Sequence, residues 1–474
     1  MLPVKIGNTD FINTNDAYYV DKTLIIKEII DSVLSSILLI TRPRRFGKSL
    51  TMSMIDYYFN SKGDYSYLFK DKNIAKEDKY YYSFLNQYPV VHINMKSIFV
   101  NQYSSIKDNV SDLVSTLYRE YAYLLDSENL LPIDKQEINL LINREADYKL
   151  LSKSISRLTY YLQKHFSKKV ILLIDEYDTP VQSAYKNGQY NETISFLKEF
   201  YGEALKDNSN LFFAIVTGVV EISKESLFSG LNNLLVCPIN EKRFSSYFGF
   251  NQKEVEEIIS YYHLPITFEE LRSNYGGYNL VNGEELCNPW SIMNYVYFQN
   301  IKPYWANTGT NRLVGELISD SIQKDRLLRL INNEEEYDYF NSNFTYQDLD
   351  KSTFLLSYLA ELGYLGLKPV DKGNQYIYFI PNLEINMIFE NEILDHLKIW
   401  DINIYNTFKQ DLLNGNGELF TSILEKNILS SLSTFNFKDE NIYQNVLTGA
   451  LSILSTIYVV ENEVNSGTGR CDIM

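Results

Sequence analysis

Apolar residues gather in the first half of the chain as short, nearly unbroken runs: Ile37–Thr41, Val90–Met95, Val170–Ile174 and Leu211–Thr217. Runs of this length, rich in Ile, Val and Leu, predict strands buried on both faces, as in a parallel sheet covered by helices. Between the second and third runs the period changes. Ile106, Val110, Leu113, Val114, Leu117, Tyr121 and Leu124 follow helical spacing and predict a helix whose apolar stripe packs on that sheet.

After about Phe250 helical patterning takes over, beginning with Lys253 to Tyr262. A helix over Ser352 to Leu362 then leads into two short strands, Tyr364–Lys368 and Tyr376–Ile380, separated by Asp371, Lys372 and Gly373. That order suits a winged-helix module. Asn414-Gly-Asn-Gly417 marks a later boundary, and Glu418 to Met474 reads as the start of another α/β unit. The predicted organisation is a sheet-based core over 1–250, a helical subdomain over 251–340, a linking region over 341–413 and a final α/β segment over 414–474.

Composition changes this picture only at the margins. The 39 Tyr and 26 Phe allow large apolar contacts, although a biased source genome gives the same count. A formal charge of −16 argues against coating nucleic acid along the whole surface, so any DNA contact needs a local basic patch. Cys237, Cys287 and Cys471 are far apart, as are the four histidines, so neither a zinc site nor a disulfide framework is expected. Without a leader-like start or a long apolar run, a cytoplasmic, soluble protein with no membrane partner is expected.

The chemistry lies at the ends of the predicted strands. After Ile37–Thr41 comes Arg42-Pro-Arg-Arg-Phe-Gly-Lys-Ser49, followed by a helical pattern. A phosphate loop needs backbone N–H groups turned inward and a helix N-terminus whose partial positive charge faces the anion. Arg44, Arg45, Phe46 and Gly47 are the candidate cradle, Lys48 the bridge between β- and γ-phosphate, and Ser49 a ligand of Mg²⁺. Arg42 stands where the general pattern has its first Gly. The run Lys169-Val-Ile-Leu-Leu-Ile-Asp-Glu176 is a buried-type strand ending in two carboxylates. Asp175 is placed to hold the Mg²⁺ shell, and Glu176 to polarise the water that attacks the γ-phosphate. Thr217, ending a further strand, is a candidate to sense that phosphate or orient the water; a plain core threonine fits equally well. The long stretch between the two motifs accommodates an extra strand, Val90–Met95, as in the additional-strand branch of P-loop ATPases. Arg42, Arg44 and Arg45 together suit polyphosphate, DNA or a solvated surface.

Together with Tyr19-Val-Asp-Lys-Thr23, Ile174-Asp-Glu-Tyr-Asp-Thr-Pro180, Phe228-Ser-Gly-Leu-Asn-Asn233, Asn274-Tyr-Gly-Gly-Tyr278, Asn288-Pro-Trp290 and Pro303-Tyr-Trp305, these residues resemble the AAA-ATPase-like proteins, which usually carry a C-terminal PD-(D/E)XK nuclease domain. The resemblance implies a RecA/AAA-like core, packing of Tyr19–Thr23 near the nucleotide, and Lys224 or Arg243 as trans or sensor groups. It also implies that Glu440 with Asn441–Val446 opens a nuclease-type helix, and that Gly467–Ile473 bears a metal-binding Asp472. Since the sequence as given stops at Met474, that module is expected to be an incomplete remnant that does not cut DNA. The expected function is ATP binding and hydrolysis with Mg²⁺, coupled in the complete protein to DNA recognition or cleavage, with a homo-oligomer as a further expected partner state. The alternative is an ATP-dependent switch whose C-terminal part recruits a partner without catalysis.

Overall fold

Strand β1 (Ile37–Thr41) shows why the apolar runs are unbroken. Ile37 and Leu39 enter one hydrophobic core, while Leu38 and Ile40 enter another on the opposite face. Side chains alternate along a strand, so a sheet covered on both sides needs an apolar residue at every position. In the computed structural model, β2 (Val90–Asn94), β3 (Val170–Asp175), β4 (Leu211–Gly218) and β5 (Leu234–Cys237) complete a sheet ordered β2-β3-β4-β1-β5. All of its pairings are parallel. The structure describes residues 1–305 with breaks at 33–35, 102, 222–226, 229 and 280–283. Beyond these it describes 326–327, 329–331, 334–341, 345–346, 352–370, 375–389, 410–411, 413–416, 422, 462–466 and 469–473.

The predicted extra strand exists, yet its place differs from its place in sequence. β2 lies at the sheet edge beyond β3, and β4 is the strand that separates β1 from β3, the strand that ends in Asp175. Helices α1 (Ile25–Ser32) and α2 (Lys48–Phe59) cover one face. Beside them runs the short α3 (Lys79–Tyr82). The other face is covered from the set α4 (Ile106–Glu120), α5 (Pro132–Ile142), α6 (Tyr148–Ser152), α7 (Ser154–Phe166), α8 (Thr179–Lys186) and α9 (Tyr190–Leu205). The predicted stripe on α4 is buried there apart from the half-buried Leu113, and a Ser105–Asp108 capping box starts that helix. Tyr121 and Leu124 continue the stripe just past its end.

Helices α10 (Gln252–Tyr262), α11 (Phe268–Tyr275) and α12 (Pro289–Phe298) surround a small sheet ordered β6-β8-β7, from β6 (Phe250–Asn251), β7 (Tyr278–Asn279) and β8 (Glu285–Cys287). Val4, Tyr18 and Val20 pack against their core, so the first residues of the chain join this unit physically. Two marks of the resemblance have local causes here. Asn288 caps α12 by accepting from the N–H groups of Trp290 and Ser291, with Pro289 at the first helical position. Gly277, at φ +83°, lies where a Cβ would strike the Pro381 carbonyl oxygen at 1.9 Å.

The predicted late helix and strand pair are present as α13 (Ser352–Leu362), β10 (Gly366–Pro369) and β11 (Gln375–Phe379). A third strand that the sequence pattern did not announce, β9 (Glu336–Tyr339), pairs antiparallel with β11. Residues 371–373 lie outside the described residues. Leu355, Leu356, Tyr358 and Leu359 of α13 are continuous with the core on the α4–α9 face of the parallel sheet. Helix α14 (Leu383–Ile388) follows. From 414 on, an antiparallel hairpin is described, β12 (Asn462–Ser466) with β13 (Gly469–Ile473), the latter containing Asp472. Glu440, Asn441–Val446 and most of that segment lie outside the described residues. Among the described residues no group of acidic, His or Cys side chains is arranged to hold a metal ion, and no helix is long and apolar enough to cross a membrane.

Candidate functional site

The site forms where four parallel strands end. β1 delivers the loop Arg42–Gly47, which turns into α2 through Gly47 at φ +88° and Arg45 at φ +68°. Only glycine adopts this left-handed backbone freely, so Arg45 carries a local cost of about 1–2 kcal/mol. Among the described residues, the N–H groups of Arg44 through Gly47 donate to no backbone carbonyl. A Cβ built on Gly47 meets no atom within 4 Å. Unpaired N–H groups around open space at a helix N-terminus make a cradle of the kind that takes an anion.

Lys48 opens α2 and is buried. Its ammonium donates to the carbonyl oxygens of Arg42 at 2.8 Å and Pro43 at 2.9 Å. Burial pushes this lysine from its ordinary 10.5 down to about 8, against the pull of Asp175, Asp178 and Glu176. Ser49, one position along, donates from Oγ to Asp175 Oδ2 at 2.6 Å. Asp175 ends β3 with no exposed surface. It also accepts from Thr217 Oγ1 at 2.5 Å, Asn94 Nδ2 at 3.3 Å and the Glu176 N–H at 3.0 Å. Four donors surround this carboxylate, and with the nearby Lys48 ammonium they offset the cost of its burial.

Glu176 is half-buried and sits at φ +53°, the second left-handed non-glycine position at this site. Burial and the neighbouring Asp175 raise its carboxyl above the ordinary value. Thr217 is buried with its hydroxyl turned onto Asp175, so its donor is committed to that carboxylate.

The remaining candidates separate. Arg42 is buried, and its Nη1 donates to the carbonyls of Thr41, Cys237 and Pro238, which ties the loop to the end of β5. Arg44 donates to Gln182 on α8 at 2.9 Å, and Arg45 stacks 4.2 Å from the Trp290 ring centroid. The three arginine side chains thus take separate partners, on the end of β5, on α8 and on α12. Phe46 is buried edge-on against Tyr278. Tyr19 and Lys22 pack on the flank of α2 and the start of α10, through Tyr19 Oη to Met54 Sδ and Lys22 Nζ to Glu254 and the Ser246 carbonyl. Arg243 faces Glu28 at 3.6 Å, and Lys224 lies outside the described residues.

Two residues of the site were not anticipated. Asn94 follows from the end of β2, the same strand position that Asp175 occupies on β3. Asp178 is buried, and its Oδ2 accepts from the Val219 and Val220 N–H groups, fastening the turn after Glu176 to the chain leaving β4. Its place in the Asp-Glu-Tyr-Asp run was the available signal.

One curated relative, described as an uncharacterized protein in the vnfD 5' region of Azotobacter chroococcum mcd 1, is 26% identical over 386 residues, covering 80% of this chain and 67% of that protein. The five-stranded parallel sheet with its loop and acidic strand end is consistent with a P-loop ATPase core. Over residues 3–228 the chain matches the AAA-ATPase-like family, described as predicted AAA-ATPase.

Proposed function

We propose that residues 1–250 bind ATP with Mg²⁺ and hydrolyse it, with 251–340, 341–413 and 414–474 as appended units. The observation that carries this reading is the convergence on Asp175: Ser49 from the loop helix and Thr217 from β4 both donate to one buried carboxylate, beside the buried Lys48. The N–H groups of Arg44 to Gly47 cradle the phosphates. Lys48 neutralises their charge by turning from the loop carbonyls onto the anion. Ser49 and Asp175 are the oxygen donors suited to Mg²⁺, whose charge offsets that on the transferring phosphoryl group when bound. Glu176 accepts the proton of the attacking water, and Thr217 and Asn94 hold Asp175 in place.

The test compares two variants of the full chain. Lys48→Ala should lower ATP affinity tenfold or more, as the loss of a charge-assisted bond of about 1.5–3 kcal/mol requires. Glu176→Gln should keep that affinity and lose turnover, because an amide does not take up the proton. Unaltered affinity in a folded Lys48→Ala protein, or parental turnover in Glu176→Gln, would sink the corresponding assignment.

A further inference from the structure

Two tryptophans hold the phosphate loop from outside the parallel sheet. Trp305 Nε1 donates to the Arg44 carbonyl at 3.1 Å, and Trp290 lies under the Arg45 guanidinium at 4.2 Å. These are consecutive residues of the loop. The tryptophans are also joined to each other, since Trp290 Nε1 donates to the carbonyl of Tyr304 at 3.1 Å. Behind them sits Glu384, at the start of α14 and 3% exposed. Its Oε1 accepts from the Trp305 N–H at 2.6 Å, and its Oε2 from the Ser291 hydroxyl at 2.8 Å, next in sequence to Trp290. The result is a closed ring: Arg44, Trp305, Glu384, Ser291, Trp290, Arg45.

We propose that Glu384 is a positioning residue for the phosphate loop, holding both tryptophans so that Arg44 and Arg45 keep the cradle open for the nucleotide. The proposal rests on the reading of this loop as the ATP site. Three observations support it. The Trp305 bond takes the Arg44 carbonyl, leaving the N–H of that stretch as its unpaired group. The Arg45 stack on Trp290 helps to offset the left-handed backbone of Arg45. Gly363, at the end of α13, presses Pro43 from the same unit, where a Cβ would come within 2.8 Å of the proline ring. Burial pushes the Glu384 carboxyl up to about 7, against the donors of Trp305, Ser291 and Tyr304. Glutamine suits the same pocket, with Oε1 for the Trp305 N–H and Nε2 for the Ser291 hydroxyl oxygen.

The test uses the full chain and three variants: Glu384→Ala, Glu384→Gln and Trp305→Phe. Amide hydrogen exchange is measured without nucleotide at Arg42 and Thr51, the hydrogen-bonded amides that border the loop, and ATP affinity by calorimetry. Glu384→Ala should speed exchange at these two amides and weaken ATP about tenfold, while Glu384→Gln restores both. Trp305→Phe removes the indole donor with part of the ring and keeps an aromatic side chain, so it should speed exchange at the same amides even where Glu384→Ala fails to fold. Parental exchange in folded Glu384→Ala or in Trp305→Phe would overturn the proposal. So would failure of glutamine to restore what alanine loses. If the parental protein does not bind ATP, the ATPase reading fails, while the exchange measurement still decides whether Glu384 holds the loop.

Discussion

Binding of ATP should draw a proton onto Lys48, and the amount follows from the geometry. The ammonium is buried against two carbonyl oxygens, and burial brings it down to about 8 despite three nearby carboxylates. At pH 8.5 such a group is charged in only about a quarter of molecules, by the ordinary titration relation. A polyphosphate beside it restores the charged form, since an opposite charge within a few Å favours ionisation. Binding should therefore take up about 0.7 proton per site at pH 8.5 and almost none through this group at pH 6.5. The assay is calorimetry in buffers of low and high ionisation enthalpy, with a Glu176→Gln background to remove both turnover heat and that carboxyl's own titration. A Lys48→Arg partner protein supplies the control, because guanidinium keeps its proton throughout this range. Equal uptake at both pH values would refute the reasoning. Uptake that persists undiminished in Lys48→Arg would show that another group is responsible.

Two further substitutions probe the cradle and the acidic strand end. Gly47→Ala introduces a Cβ that meets no protein atom but must adopt φ +88°, so stability should fall by only about 1–2 kcal/mol while ATP affinity falls at least tenfold; thermal unfolding and calorimetry check this, and parental affinity would show that the loop does not close on phosphate. Thr217→Val keeps the shape and removes the donor to Asp175, a bond to a charged group worth about 1.5–3 kcal/mol. It should lower the unfolding temperature and weaken Mg²⁺-dependent binding more than metal-free binding, with Thr217→Ser restoring both; a valine variant as stable and as Mg²⁺-responsive as the parent would show that this bond does not orient Asp175.

The sequence by itself determined the elements whose chemistry is local. Four of the five parallel strands were legible because both faces of that sheet are covered, so their apolar runs are nearly unbroken, His92 inside β2 being the exception. Lys48, Ser49, Asp175 and Glu176 were legible because a loop entering a helix and a strand ending in carboxylates are contiguous patterns. The short β5 was not: Leu234-Leu-Val-Cys237 is wholly apolar, but four residues are too few for periodicity to tell a strand from another buried segment. Nor does the chain order of Val90–Met95 disclose its position, because strand order is set by how crossovers pack and not by sequence. Tertiary structure alone decided where the side chains of one short loop point. Arg42, Arg44 and Arg45 are near neighbours in sequence, yet the left-handed turn at Arg45 and the partners waiting on β5, α8 and α12 send them three ways. The same holds for Thr217, whose hydroxyl is claimed by Asp175, and for Glu384, which reaches the Arg42–Gly47 loop through residues distant from both in sequence. Periodicity records whether a position faces a core, but a hydrogen bond between distant segments leaves no periodic trace, so such partnerships appear only when the chain is folded.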